Sequence, residues 1–275
     1  MSLRLTSVSD AGIAQLTGLK KLRALDLRNT NVTDGALPPI GQLSQLVDLQ
    51  LERAKVTAQG LESLTALKKL RSLNLNTTGV GDDAMEVLSR IPSLESLQLD
   101  SARLTDAGMP HLAKLSRLSR LRIRYCFVTD AGIEAIAGLQ NMQRLELRDT
   151  PIKDRSLEII SGMPKITYLE LDECRLITDE GIKHLANLKE LTELLLWETK
   201  TGDEGLAALK DLRKMRNLNL EATRITNASA PVIGGYTELE RLNIAGTNLD
   251  DEAIEIIKSL PKLKWINIRN TRVSY

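Results

Sequence analysis

"LRALDLRNTNVTDGALPPIGQLSQ", residues 22–45, is followed by "LVDLQLERAKVTAQGLESLTALKK", residues 46–69, and "LRSLNLNTTGVGDDAMEVLSRIPS", residues 70–93. The three align without a gap, with leucine at their first, fourth and sixth positions. The same frame restarts at Leu94, Leu118, Met142, Ile166, Leu191, Met215, Leu239 and Leu263. The step is 24 residues throughout, except for 25 between Ile166 and Leu191. The extra residue falls in "CRLITDEG", at Leu176 or Ile177. Self-similarity at a fixed period of this size is the signature of stacked repeats and takes precedence over any residue-level reading.

Each row reads L-x-x-L-x-L-x-x-T-x-V-T-D-x-G-L-x-x-L-x-x-L-x-x. Its first part alternates apolar and polar residues, as a short strand with one buried face does. Its second part spaces apolar residues three apart after an aspartate, as a short helix does. Asp10, Asp34, Asp82, Asp106, Asp130, Asp154, Asp179, Asp203 and Asp251 hold the helix-start position. There a side-chain oxygen is expected to cap the free N–H groups of the first turn. Asn227 can do the same and Ala58 cannot. Two residues on comes a small residue such as Gly108, Gly132, Gly181 or Gly205, which implies a close approach of helix and neighbouring coil. One strand–helix unit cannot bury its apolar side alone, so the units must stack, strands forming a parallel sheet and helices lining the other side.

These residues carry a resemblance. The pattern is similar to the leucine-rich repeat family, in the variant with Thr or Cys after the strand and a "(V/I)TDxGL" helix start, as in cysteine-containing, ribonuclease-inhibitor-like and many bacterial arrays. The resemblance covers the whole chain. It implies an α/β, right-handed horseshoe solenoid with a parallel β-sheet on the concave face and helices on the convex face. It also implies a binding role, exercised through the concave sheet, although a fold alone does not establish function. On this reading the chain is one repeat domain, with a partial first repeat over 1–21, full repeats over 22–262 and a partial last repeat over 263–275. Terminal repeats of such arrays carry polar caps. None is evident here, which suggests a segment of a longer array, or end-to-end self-association through strand addition.

Composition narrows the function. The 275 residues are 42% hydrophobic but only 3% aromatic, so the core must be aliphatic. Lys plus Arg number 37 against 36 Asp plus Glu, too even a balance for a general nucleic-acid binder. No apolar stretch approaches the ~20 residues of a membrane-spanning helix. The opening residues lack a secretory pattern, which tilts the compartment towards the cytoplasm. His111 and His184, the only histidines, occupy equivalent helical positions three rows apart and cannot act together. Cys126 and Cys174 occupy the post-strand Thr/Cys position two rows apart, ~10 Å at the usual strand spacing and too far for a disulfide. Both are expected to be small core residues. No nucleophile–base pair, CxxC motif, metal constellation or phosphate loop is present, so no catalytic residue, metal or cofactor is assigned.

The third, fifth and seventh positions of each row face away from the leucines, and equal positions of successive rows lie side by side. The centre of this surface is strongly charged: Arg120, Arg122 and Arg124, then Arg144, Glu146 and Arg148, then Tyr168, Glu170 and Asp172, then Glu193, Leu195 and Trp197, with Tyr125 at the rim. Cross-strand pairing of Arg122 with Glu146, Arg148 with Asp172, and Arg124 with Asp100 would neutralise much of it. Arg120 and Arg144 face no acid at their own level. Trp, Tyr and Arg are favoured in interface cores. The reading is therefore a non-enzymatic protein- or peptide-binding module using this patch, with no nucleic acid and no membrane insertion. The alternative is a structural or targeting segment of a larger enzyme or receptor-like protein with no ligand of its own.

Overall fold

The computed structural model describes residues 1–274. The chain forms two compact units, Met1–Met142 and Gln143–Tyr275. In the first, strands β1 (Ala24–Asp26), β2 (Asp48–Gln50), β3 (Ser72–Asn74), β4 (Ser96–Gln98) and β5 (Arg120–Arg122) pair in parallel, in chain order. Leu25, Leu49, Leu73, Leu97 and Leu121 stand opposite one another. In the second, β6 (Arg144–Glu146), β7 (Tyr168–Glu170), β8 (Glu193–Leu195), β9 (Asn217–Asn219), β10 (Arg241–Asn243) and β11 (Trp265–Asn267) do the same. The 25-residue step leaves register intact, since Leu169 pairs with Leu194. Leu176 is the inserted residue: it is 44% exposed, while Ile177 is fully buried in the slot of the repeat's valine.

Between strands run helices of four to seven residues, such as Asp82–Leu88 and Asp154–Ile160. Nearly every row leucine is buried at 1% exposure or less. Each such side chain contributes about 1.5–3 kcal/mol relative to exposure. Tyr236 fills a slot that leucine or isoleucine holds in most rows, and its hydroxyl donates to the Leu209 carbonyl at 3.1 Å. The post-strand threonines satisfy the strand's exit: Thr30, Thr78, Thr150 and Thr223 donate to carbonyls three residues back at 2.6–2.7 Å. Cys126 and Cys174 use the same slot but turn to the preceding row, donating to the Leu99 and Leu147 carbonyls at 3.3 and 3.2 Å. Both are free and buried, and burial pushes their thiols up to about 12 and about 11, so they stay protonated.

The aspartates correct an expectation. They are the first helical residue, not the cap, and their carboxylates reach into the next row. Asp10, Asp34, Asp82, Asp106, Asp154 and Asp203 each accept the backbone N–H of the next row's threonine at 2.7–2.9 Å and its hydroxyl at 2.5–2.7 Å. That threonine is the cap: Thr33, Thr129, Thr178 and Thr226 accept from the N–H two residues on. The following glycine makes room. A Cβ on Gly60, Gly108, Gly132, Gly181 or Gly205 would stand 2.2–2.6 Å from an Oδ1 of the preceding row's aspartate. At three junctions the partners change together. Ala58, which has no carboxylate, is followed by Gly81 in place of threonine and Ala84 in place of glycine. Ser229 takes the glycine position facing Asp203 and donates its hydroxyl at 2.5 Å. Asn227 is met by Asp250, which it bonds through both amide atoms at 2.7 and 3.1 Å.

The eighth position of every row is left-handed, with φ between 50° and 66° from Asn29 to Asn270. Glycine and asparagine tolerate that region, and β-branched residues do not. Gly246, Asn29 and Asn270 fit it, whereas Thr77 adopts φ 55° with an exposed side chain. Replacing Thr77 with Asn is expected to raise stability by about 0.5–1 kcal/mol. Urea denaturation of the two proteins measures this, and an unchanged midpoint contradicts it.

Candidate functional site

Strand periodicity sends the first and third residues of each three-residue strand away from the buried leucine between them, and the sequence-predicted residues of β5 to β8 are at those positions. In the first unit Arg120 is exposed. Arg122 Nε lies 2.6 Å from Asp100 Oδ2 and Arg124 Nε 3.7 Å from the same oxygen. The expected Arg124–Asp100 pair thus forms, reinforced by the Arg124 N–H at 3.2 Å from Asp100 Oδ1. Asp100, only 7% exposed, is held below both by its own N–H donating to Asn76 Oδ1 at 2.8 Å. Tyr125 occupies the left-handed eighth position and is 41% exposed, with Phe127 beyond it 68% exposed.

The second unit carries the more organised group. Arg144 was expected to lack an acid. It finds Glu146 two residues along its own strand, Nε to Oε1 2.5 Å, and its guanidinium lies 3.5 Å over the Tyr168 ring. Residues two apart on a strand share a face, so this pair needs no neighbouring row. Burial and the adjoining Glu170 hold the Tyr168 phenol well above its ordinary pKa, hence protonated. Arg148 was expected to pair with Asp172. It instead bonds Glu173 Oε1 from Nε at 2.8 Å and from Nη2 at 2.5 Å, while lying 4.8 Å over the Trp197 ring. Arg175 extends the chain of charge, donating to Glu198 Oε2 at 2.6 Å and to Glu173 Oε2 at 3.3 Å.

Asp172 sits in the row between Arg148 and Trp197 and is 6% exposed. Its Oδ1 accepts the Trp197 N–H at 2.8 Å. Burial raises its pKa to about 6, although that N–H and Arg148 pull the other way. Glu146 and Glu170, read from the alternation as wet-face residues, are likewise 5% and 4% exposed. Long arginine and aromatic side chains lie down over the sheet and cover these acids, which alternation alone cannot reveal. Trp197 is half-buried for the same reason. Glu193 accepts from Asn217 Nδ2 at 3.1 Å, and Leu195 is half-buried beside it.

Three asparagines at the fifth position of successive rows are largely structural. Asn219, Asn243 and Asn267 are in register, and the Oδ1 of each accepts the N–H two residues on, at 3.1–3.3 Å. A third aromatic stack, Arg241 over Trp265 at 4.8 Å, was not foreseen; its signal was Arg and Trp at the same position of successive rows. His111 and His184 are half-buried on the helical side, away from these groups. Among the described residues, no group of three His, Cys, Asp or Glu is placed to hold a metal ion, and no helix is long and apolar enough to cross a membrane.

A protein-family model described as a leucine-rich repeat region matches residues 2–197. Among solved structures, the chain is similar to the crystal structure of an internalin (inlF) from Listeria monocytogenes, with 24% identity and a TM-score of 0.73 over 96% of this chain and 78% of that one. At that identity the likeness concerns the fold. No curated protein sequence matches the chain.

Proposed function

The chain belongs to the leucine-rich repeat family, and we propose that it is a non-enzymatic module that binds a protein or peptide on the open face of its sheet. One observation supports this above the others: Arg144 over Tyr168 and Arg148 over Trp197 place two arginine–aromatic stacks on adjoining strands of one unit. Arg, Tyr and Trp dominate interface energetics: the two aromatics present large rigid surfaces that lose little entropy on binding, and arginine adds a planar, multidonor guanidinium. Carboxylates fix the guanidinium groups in place: the buried Glu146 holds Arg144 and the half-buried Glu173 holds Arg148. Such pre-ordering lowers the cost of association and gives selectivity by charge. In the first unit Arg120, Arg122 and Arg124 hold the third, fifth and seventh positions, with the exposed Tyr125 next to them.

The test is selection from a peptide display library on immobilised protein, followed by affinity measurement with Trp197→Ala. Selected peptides are expected to bind this variant at least roughly tenfold more weakly while its thermal transition stays cooperative. Peptides bound equally by both proteins would move the site elsewhere. Failure of selection to enrich any sequence would favour the second reading, a structural segment whose charged face is saturated by its own pairs.

A further inference from the structure

The strand-entry edge of the first unit presents an arrangement that the second unit does not. Each row turns into its strand through its last two residues and its second, and these side chains stand off the end of the sheet. In the second unit, acids at these same positions answer several of the cations. Lys214 meets Glu190 at 2.7 Å, Arg216 and Lys264 both meet Glu240, at 3.0 and 2.8 Å, and Lys262 meets Glu238 at 2.6 Å. In the first unit the same positions hold Arg23, Lys68, Lys69, Arg71 and Arg117 around a cleft of about 550 Å³. One acid answers them: Glu95, 3.6 Å from Arg71 Nη1. Among the described residues, Arg23, Lys68, Lys69 and Arg117 make no ion pair. Lys69 rests on Gln45 Oε1 at 2.6 Å and Lys68 on the Thr65 carbonyl at 2.9 Å, both neutral acceptors.

We propose that this cleft is a binding site for a compact solute carrying several phosphate or sulfate groups. Five cations converging with one counter-charge repel one another, and a cleft concentrates their field on whatever enters it. A multiply charged oxyanion relieves that repulsion. Three of the five are arginines, whose planar forks match the paired oxygens of phosphate and sulfate, and the two lysines add mobile point charges. The volume lies within the ~300–1,000 Å³ of small-molecule sites. No aromatic side chain lines the cleft, so it lacks the stacking platform that single-stranded nucleic acid uses. The cleft shares no residue with the open-face patch.

Titration calorimetry of the whole chain in low salt, with inorganic tripolyphosphate in one arm and sucrose octasulfate in the other, tests it. Saturable one-to-one binding of at least one probe is expected, and the tighter arm identifies the ester class. Arg71→Glu with Arg117→Glu, its fold checked by circular dichroism, should weaken binding roughly tenfold or more, and Lys214→Ala, at a cation already paired with Glu190, should leave it unchanged. Raising the ionic strength should weaken binding, because the cations are exposed. Binding of neither probe, or equal binding by the charge-reversed protein, overturns the proposal. So does displacement of both probes by a short duplex oligonucleotide bound at several copies per chain, which would mean a general polyanion surface.

Discussion

Replacing Asp106 with Ala should cost about 3 kcal/mol of stability, a large effect for a half-buried polar side chain. Its carboxylate accepts the Thr129 N–H at 2.7 Å, the Thr129 hydroxyl at 2.6 Å and the Gly132 N–H at 3.0 Å. Bonds to an ionised acceptor are worth about 1.5–3 kcal/mol each, discounted here for partial exposure. Gly132→Ala tests the other half of the junction. A methyl there would stand 2.5 Å from Asp106 Oδ1, 2.7 Å from Val128 Cγ1 and 2.9 Å from Met109 Cγ. Alanine favours a helix by about 1 kcal/mol over glycine, yet crowding of this kind costs about 1–3 kcal/mol, so a net loss is expected.

The informative protein is the double variant. With the carboxylate gone the closest clash disappears, so the two losses should fall short of additivity by at least about 1 kcal/mol. The chain already contains a version of this exchange, where Ala58 is followed by Ala84. Equilibrium urea denaturation of the four proteins gives the coupling. Strict additivity would mean that aspartate and glycine act independently, and the interlock reading would fail. Because neighbouring repeats stabilise one another only through their shared interfaces, amide exchange should rise first in residues flanking this junction.

The repeat period was enough to place every strand, because a 24-residue frame with three apolar positions admits one register, and Leu25, Leu121, Leu194 and Ile266 all fall on it. The threonine–cysteine slot and the small residue after the aspartate were equally legible, since both are tight steric sites. The partner of the aspartate was not. A carboxylate at a helix start has acceptable donors in its own turn and in the next row, and spacing alone does not choose between them. The charged face was legible as a face, and the Arg124–Asp100 pair on it, but the partners of Arg144 and Arg148 were misjudged. Lining up equal positions assumes that side chains stand upright, but Arg144 turns along its own strand to Glu146, and Arg148 passes over Asp172 to Glu173 and Trp197. The acids beneath are buried by neighbours whose reach exceeds one strand spacing. The unpaired strand-entry cations became visible only when the turns of successive rows were seen side by side.

Asp172 supplies the second large effect, one that depends on pH. Its pKa is raised to about 6 in the folded chain against 3.8 for the free side chain, through burial first, with Glu173 and Glu221 adding repulsion against the attraction of Arg148. A carboxyl whose folded pKa is raised binds its proton more tightly folded than unfolded. Its ionisation therefore costs stability above about pH 6, and that cost is relieved as pH falls towards 4. Asp203 works in the opposite sense. Burial would raise its pKa, but bonds from Ser229 and Thr226 outweigh this and hold it low, so its contribution is lost only in more acid solution. Wild-type stability should thus rise between pH 8 and about 5 and fall below about 4. Asp172→Asn keeps an oxygen for the Trp197 N–H and removes the buried charge. It should be more stable than wild type by about 2 kcal/mol at pH 8, after discounting for solvent screening, with the difference shrinking below about pH 6 and gone only below the unfolded pKa, at about pH 3.5. Urea midpoints of both proteins across that range decide it. Parallel curves would mean that Asp172 titrates as an ordinary carboxylate, and the roof of Arg148 and Trp197 would not be closed over it in solution.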